Sequence, residues 1–191
     1  MRKENIIRFF DSLASEWDAN QTRNENAIAY ILDVGGASPG KCILDVACGT
    51  GVLFDDYISR GVEVTGIDIS SAMTEKAKEK YPEINIICGD AESYAFNEKF
   101  DAVMVYNAFP HFTEPSALFR NLSEALVSGG RFTVAHGISE AELALCHSGS
   151  AKDVSLPLPS KEALSEMMSD FFRVDVAVSD DEKYIVSGIK L

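Results

Sequence analysis

Apolar and polar positions follow two rhythms along this chain. Over residues 1–33, Ile6, Phe9, Phe10, Leu13 and Trp17 recur at spacings of three and four, the stripe of an amphipathic helix. Asn24 to Val34 gives a second helix, closed by Gly35–Gly36. Ser38–Pro39–Gly40 then turns the chain, and the rhythm changes to short aliphatic runs separated by helix-spaced stretches. Lys41–Val46, Val62–Asp68, Ile84–Glu92, Phe100–Asn107 and Arg131–Ala135 read as strands. Leu53–Arg60, Ala72–Tyr81 and Pro115–Leu126 read as the helices between them, with Val127–Gly130 as a turn into the fifth strand. This alternation predicts an α/β fold, a doubly wound parallel sheet with helices on both faces. The tail departs from it: a short helix at Ser139–Cys146, a helix at Ser160–Asp170, then two strands, Phe172–Val178 and Tyr184–Leu191, around a charged turn. The spacing shows no repeat, low-complexity tract or second domain, so residues 1–191 read as a single domain.

Ligands of such sheets bind at the carboxyl ends of the strands. Asp45, Asp68, Asp90, Asn107 and His136 all fall at such ends, so one pocket is expected to collect them. The stretch Ile43–Gly51 organises the rest. Apolar residues run up to Asp45, the chain turns through Gly49 and Gly51, and a helix follows. Glycine leaves no Cβ between backbone and ligand, and the helix start presents free N–H groups. A dinucleotide pocket would carry Gly-x-Gly-x-x-Gly, and here the third glycine is absent: the run is Cys48–Gly49–Thr50–Gly51–Val52–Leu53–Phe54. An acid four residues before Gly49 is a poor neighbour for a pyrophosphate and a good one for a cation. Asp68, 17 residues after Gly51, stands where Rossmann-type pockets place an acid on ribose hydroxyls.

Asp45–Val46–Ala47–Cys48–Gly49–Thr50–Gly51 resembles the first motif of class I S-adenosylmethionine (SAM)-dependent methyltransferases, and Asp68–Ile69–Ser70–Ser71–Ala72–Met73 resembles the second. The likeness covers nearly the whole chain, which is similar to the small-molecule enzymes of ubiquinone and menaquinone biosynthesis. It implies a Rossmann-like sheet of seven strands with the last strand antiparallel. It further implies a SAM site of Trp17, Asp45, Ala47, Gly49, Gly51, Asp68, Ile69, Met73, Asp90, Ala91 and Asn107. Asp90 would reach the adenine amino group and the Ala91 backbone the ring edge. Residues 1–33, with Phe9–Asp18 similar to the N-terminal segment of the family, would cap that pocket.

Charge narrows the partners. A net charge of −13 argues against a nucleic-acid partner, whose phosphates require Lys and Arg. No apolar run reaches the ~20 residues of a membrane span. No apolar signal core follows Met1–Asn5, so the expected place is the cytoplasm. The four cysteines form no Cys-x-x-Cys pair and read as small apolar residues. The expected oligomeric state is monomer or homodimer.

Three histidines, His111, His136 and His147, lie in segments that rise from the carboxyl edge of the sheet. There the methyl acceptor sits in the resembled fold. Three readings stay open. They line the pocket as polar residues; or one, foremost His111, is a general base; or all three bind one divalent metal, zinc first. A subset of methyltransferase-like proteins from anaerobic microbes is similar in keeping Asn107-x-x-Pro110–His111–Phe112, His136, Ser139, His147 and Leu158–Pro159, while Glu140 and Ala144 depart from its Arg and Asn. The expected function is in-line methyl transfer from SAM to a small molecule at these catalytic histidines, metal-assisted on the third reading. The alternative is a non-catalytic SAM- or metal-binding regulator on the same fold. A dehydrogenase is disfavoured by the missing glycine.

Overall fold

The structure is a computed structural model that describes residues 2–20, 22–147 and 151–191, apart from the side chains of Asn20 and of residues 144–147. Seven strands form one sheet in the order β3-β2-β1-β4-β5-β7-β6. β1 (Cys42–Val46), β2 (Glu63–Asp68), β3 (Asn85–Cys88), β4 (Phe100–Tyr106) and β5 (Leu126–His136) run parallel. β7 (Tyr184–Lys190) enters antiparallel between β5 and β6 (Phe172–Ser179). The expected doubly wound sheet and antiparallel last strand are therefore present. The strand order reverses between β1 and β4, which puts the switch point of the sheet beside the β1 turn.

Two apolar layers hold the helices to the sheet. On one face α2 (Glu25–Val34) and α3 (Phe54–Ser59) bury Ile28, Ile31, Phe54 and Tyr57 against Ile43 and Met104. On the other, α5 (Pro115–Ala125) and α7 (Lys161–Met168) cover Val103, Phe132 and Phe172. Phe119 of α5 meets Phe132 and Phe172 with ring centroids 5.7 and 6.5 Å apart. α4 (Ser71–Lys80) starts where expected, because the Ser70 side chain accepts the Met73 N–H. α6 (Glu140–His147) follows β5.

Three elements differ from the sequence expectation. α1 covers only Lys3–Leu13, so Trp17 lies in the following turn rather than on the helix. Its ring still meets Phe10, at 5.6 Å, which keeps the apolar stripe continuous. β3 stops at Cys88, because the Asp90 carboxylate accepts the Glu92 N–H and its carbonyl accepts the Tyr94 N–H, closing a turn. β5 begins at Leu126, not Arg131: the Val127–Gly130 segment is a bulge within the strand, with Gly129 at φ +72° and a register shift opposite Phe100–Ala102.

Candidate active site

The strand ends build one cavity, with about 1020 Å³ of empty space counted out to its mouth. Its floor is the switch point. Ala47 after β1 and Asn107 after β4 both take left-handed backbone (φ 55° and 53°), the only described non-glycine residues to do so. Strained backbone of this kind collects where a ligand approaches closely. Asn107 is held there from both ends: its N–H donates to the Ala135 carbonyl at 2.8 Å, and its side-chain oxygen accepts the Gly137 N–H at 3.0 Å.

The two glycines of the β1 turn differ. Gly49 (φ +56°) has open space above it, and a Cβ there would meet only the Trp17 indole nitrogen, at 3.7 Å. That is a cradle in which a ligand can lie on the backbone. At Gly51 (φ +85°) a Cβ would strike Phe54 at 2.7 Å and Tyr81 at 2.9 Å. Gly51 serves packing of α3 and lies outside the cavity lining.

Two buried carboxylates face the cavity with unlike partners. Asp68 Oδ2 accepts the Gly49 N–H and Oδ1 the Ser70 N–H, both at 2.8 Å. Burial raises its pKa to about 6, against those two donors, which favour the charged form. Each oxygen keeps a second lone pair, enough for a pair of hydroxyl groups. Asp45 is 3% exposed, and its carboxylate receives no hydrogen bond from the described residues. Burial, then the charge of Asp68, pushes its pKa to about 8. A cationic ligand over Asp45 would supply the missing counter-charge.

The roof is the N-terminal segment, fastened once to each of three strand ends. At β3, Lys3 pairs with Asp90 at 2.5 Å and with Glu92. At β2, Asp11 accepts the Ser70 hydroxyl at 2.6 Å and the Ala72 N–H at 3.2 Å. At β1, Asp18 accepts the Thr50 hydroxyl at 2.5 Å and the Lys80 ammonium at 2.8 Å. Burial opposes the charge of both Lys3 and Asp18. The hydrogen bonds to these partners outweigh it, raising the Lys3 pKa and lowering that of Asp18.

Of the residues expected at the cofactor, Trp17, Asp45, Ala47, Gly49, Asp68, Ile69, Met73, Asp90, Ala91 and Asn107 line this cavity, and Gly51 does not. His111 lines it too. His136 is fully buried in β5, its ring 6.0 Å from that of Tyr184, and is outside the lining. The His147 side chain lies outside the described residues. Among the described residues no group of three His, Cys, Asp or Glu side chains is placed to hold a metal ion. Lys3 and Glu92 were missed by the sequence reading. Lys3 carries a usable signal, since it precedes Ile6 by three residues on the striped face of α1.

Comparison with known proteins agrees with this geometry. The family described as "Methyltransferase domain" matches residues 43–130. A malonyl-[acyl-carrier protein] O-methyltransferase of Ilyobacter polytropus is 30% identical over 189 residues, covering 93% of this chain and 70% of that protein. A demethylmenaquinone methyltransferase of Renibacterium salmoninarum is 31% identical over 142 residues, 70% of this chain and 59% of its own. The chain spans about half the length of the demethylmenaquinone methyltransferases it matches. Among solved structures, magnesium protoporphyrin IX methyltransferase from Synechocystis with bound S-adenosylhomocysteine (SAH) superposes with a TM-score of 0.72 at 18% identity, covering 99% of each chain.

Proposed function

Since the chain belongs to the class I SAM-dependent methyltransferase family, we propose that it transfers the methyl group of SAM to a small-molecule acceptor in the cytoplasm. The observation that carries this reading is the convergence of Asp45, Asp68 and the Gly49 cradle on one cavity at the switch point. Asp68 would hold the ribose hydroxyls, Asp45 would face the ammonium and sulfonium charges, and the open backbone at Gly49 would lie against the methionine portion. Asp90 and Ala91 would meet the adenine, with Ile69 and Met73 along its faces.

SAM brings an activated methyl group. The protein's part is to align the acceptor at about 3–3.5 Å and to exclude water. The roof of α1 and Trp17 serves the second task. No helix among the described residues is long and apolar enough to cross a membrane.

Metal assistance through His111, His136 and His147 is the finer alternative at the acceptor end. It predicts about one zinc per chain in purified protein, lost in each histidine variant. The burial of His136 away from the lining weighs against a site formed by all three histidines.

Calorimetry with SAH tests the proposal. We expect 1:1 binding that Asp68→Ala weakens about 100-fold or more, since two backbone N–H groups and the ribose lose a charged acceptor. Absence of binding, or binding indifferent to Asp68→Ala, would sink it. A non-catalytic regulator would bind SAH equally well and turn over no acceptor.

A further inference from the structure

We propose that Asp45 captures the cofactor by exchange: its carboxyl holds a proton while the cavity is empty, and the ammonium of the entering ligand displaces that proton to solvent. The inference rests on the methyl-transfer reading above and adds to it the feature that selects a cationic adenosine ligand over a neutral one.

The strands set two acids on one side of the sheet. Parallel pairing places Asp45 opposite Gly66 of β2, and Asp68, two residues beyond Gly66, faces the same way. The surroundings of Asp45 are apolar. A Cβ on Gly66 would strike Phe54 at 2.7 Å and the Cys48 thiol at 2.8 Å, so these groups fill the space over that strand. On the other flank, β4 sets the buried Met104 opposite Asp45.

Hydrogen bonds are shared unequally between the two acids. Asp68 takes the N–H groups of Gly49 and Ser70, while the Asp45 carboxylate receives none from the described residues. Two carboxyl groups buried in one site do not both carry charge near neutral pH. The one with donors keeps the charge, and the one without keeps the proton. Their acidities follow the same order: burial first, then the charge of Asp68, puts Asp45 at about 8, and burial against the N–H donors puts Asp68 at about 6.

The neighbouring charges do not relieve Asp45. Lys3 is the one lysine or arginine among the described residues lining the cavity, and it is held by Asp90 and Glu92. Arg23, outside the lining, is held by Glu25 and Asp56. The roof adds a further acid, Asp11, whose charge bears on Asp68. The β1 turn and α3 bring Cys48 and Tyr57, both within reach of the Asp45 charge and both kept neutral by burial. Tyr106 at the end of β4 and His111 in the turn after it complete the titratable lining.

In the exchange the Asp45 O–H bond breaks, its electron pair stays on the carboxylate, and the proton leaves to water. The cavity gains the charge of the ammonium and loses that of the proton, so no charge is buried alone. SAM and SAH both carry the ammonium. 5′-Methylthioadenosine has the same adenosine and thioether without it, and has no cation to set against the proton.

Calorimetry in phosphate and in Tris, buffers with unlike heats of ionisation, counts the protons. For SAH near pH 7 we expect about one proton released per ligand bound, with affinity rising about tenfold from about pH 6.5 to 7.5. 5′-Methylthioadenosine should release almost none, its affinity moving less than about twofold over that range. In Asp45→Asn the proton release by SAH should vanish and its pH dependence flatten, while binding stays measurable. The infrared carbonyl band of a neutral carboxyl should be present in the empty wild-type protein near pH 7, lost on SAH binding and absent from the variant. SAH binding without proton release, equal release by 5′-methylthioadenosine, or release that persists in Asp45→Asn would overturn the inference alone. Failure of the wild-type protein to bind SAH at any of these pH values would bring down the methyl-transfer reading and the inference together.

Discussion

The two halves of the cavity are built differently. At the ends of β1, β2 and β3, the site is made of backbone and short acids within a few residues of a strand end: Gly49 donates to Asp68, Asp68 receives Ser70, and Ser70 caps α4. At the ends of β4 and β5, the site is assembled from distant segments. His111 depends on the Val154 carbonyl, 43 residues on, and on Phe10, contributed by α1. One half is therefore fixed by local geometry and suits a constant ligand. The other is fixed by tertiary packing and is free to suit a different acceptor in each relative.

That contrast is open to attack, beginning where the effect is largest. Asp45→Asn should separate cofactor affinity from stability. Its folded pKa of about 8 lies above the ordinary 3.8, so between those values the folded protein holds a proton that the unfolded chain has lost. Stability therefore falls as pH rises through that window; below about pH 6 the fall is shared with Asp68, and above it belongs to Asp45. The variant should be more stable than wild type above pH 8 by roughly 3 kcal/mol, read by denaturant melts. It should also bind SAM about 10- to 100-fold more weakly. Weakened binding with no gain in stability would mean that the carboxylate is not buried alone.

Gly51→Ala and Gly49→Ala sharpen the comparison within a single turn. The methyl added by Gly51→Ala would force Phe54 and Tyr81 aside at a positive φ, so we expect a loss of about 2–3 kcal/mol in thermal melts with SAH affinity falling only as far as the fold does. Gly49→Ala should cost only about 1 kcal/mol of stability, with SAH affinity down about tenfold, because the methyl fills the cradle. The smallest effect belongs to the acceptor half. Ser155→Ala removes one of two acceptors at His111 Nδ1, and since the Val154 carbonyl remains, turnover should fall about two- to threefold at constant SAH affinity.

What could be read from the sequence follows the same division. The strands, the acids at their ends and the β1 turn were legible because each is written in consecutive residues with a fixed period or a fixed φ. Gly51 was legible as a turn residue but not as a packing residue, since Phe54 and Tyr81 approach it from α3 and from beyond α4. The Lys3–Asp90–Glu92 cluster joins residues almost ninety positions apart, so the place of Lys3 on the striped face of α1 could be read from the sequence but its partners could not. The β5 bulge was hidden because Val127–Gly130 has the composition of a turn, and only pairing with β4 makes it strand. For His136, position at a strand end suggested the cavity, while the antiparallel neighbour Tyr184 seals it away.

The placement of β7 has a consequence for biosynthesis. It is the last strand of the sheet to leave the ribosome, yet it belongs in the interior, with β5 on one side and β6 on the other. Until Tyr184–Lys190 has emerged, β5 presents an open row of amide and carbonyl groups from Arg131 to His136. A nascent chain stalled short of Tyr184 can carry every residue proposed for the cofactor and still expose a strand ready to pair with a neighbouring polypeptide. Closure of the sheet is decided at β7, far in sequence from the turn around which the rest is arranged.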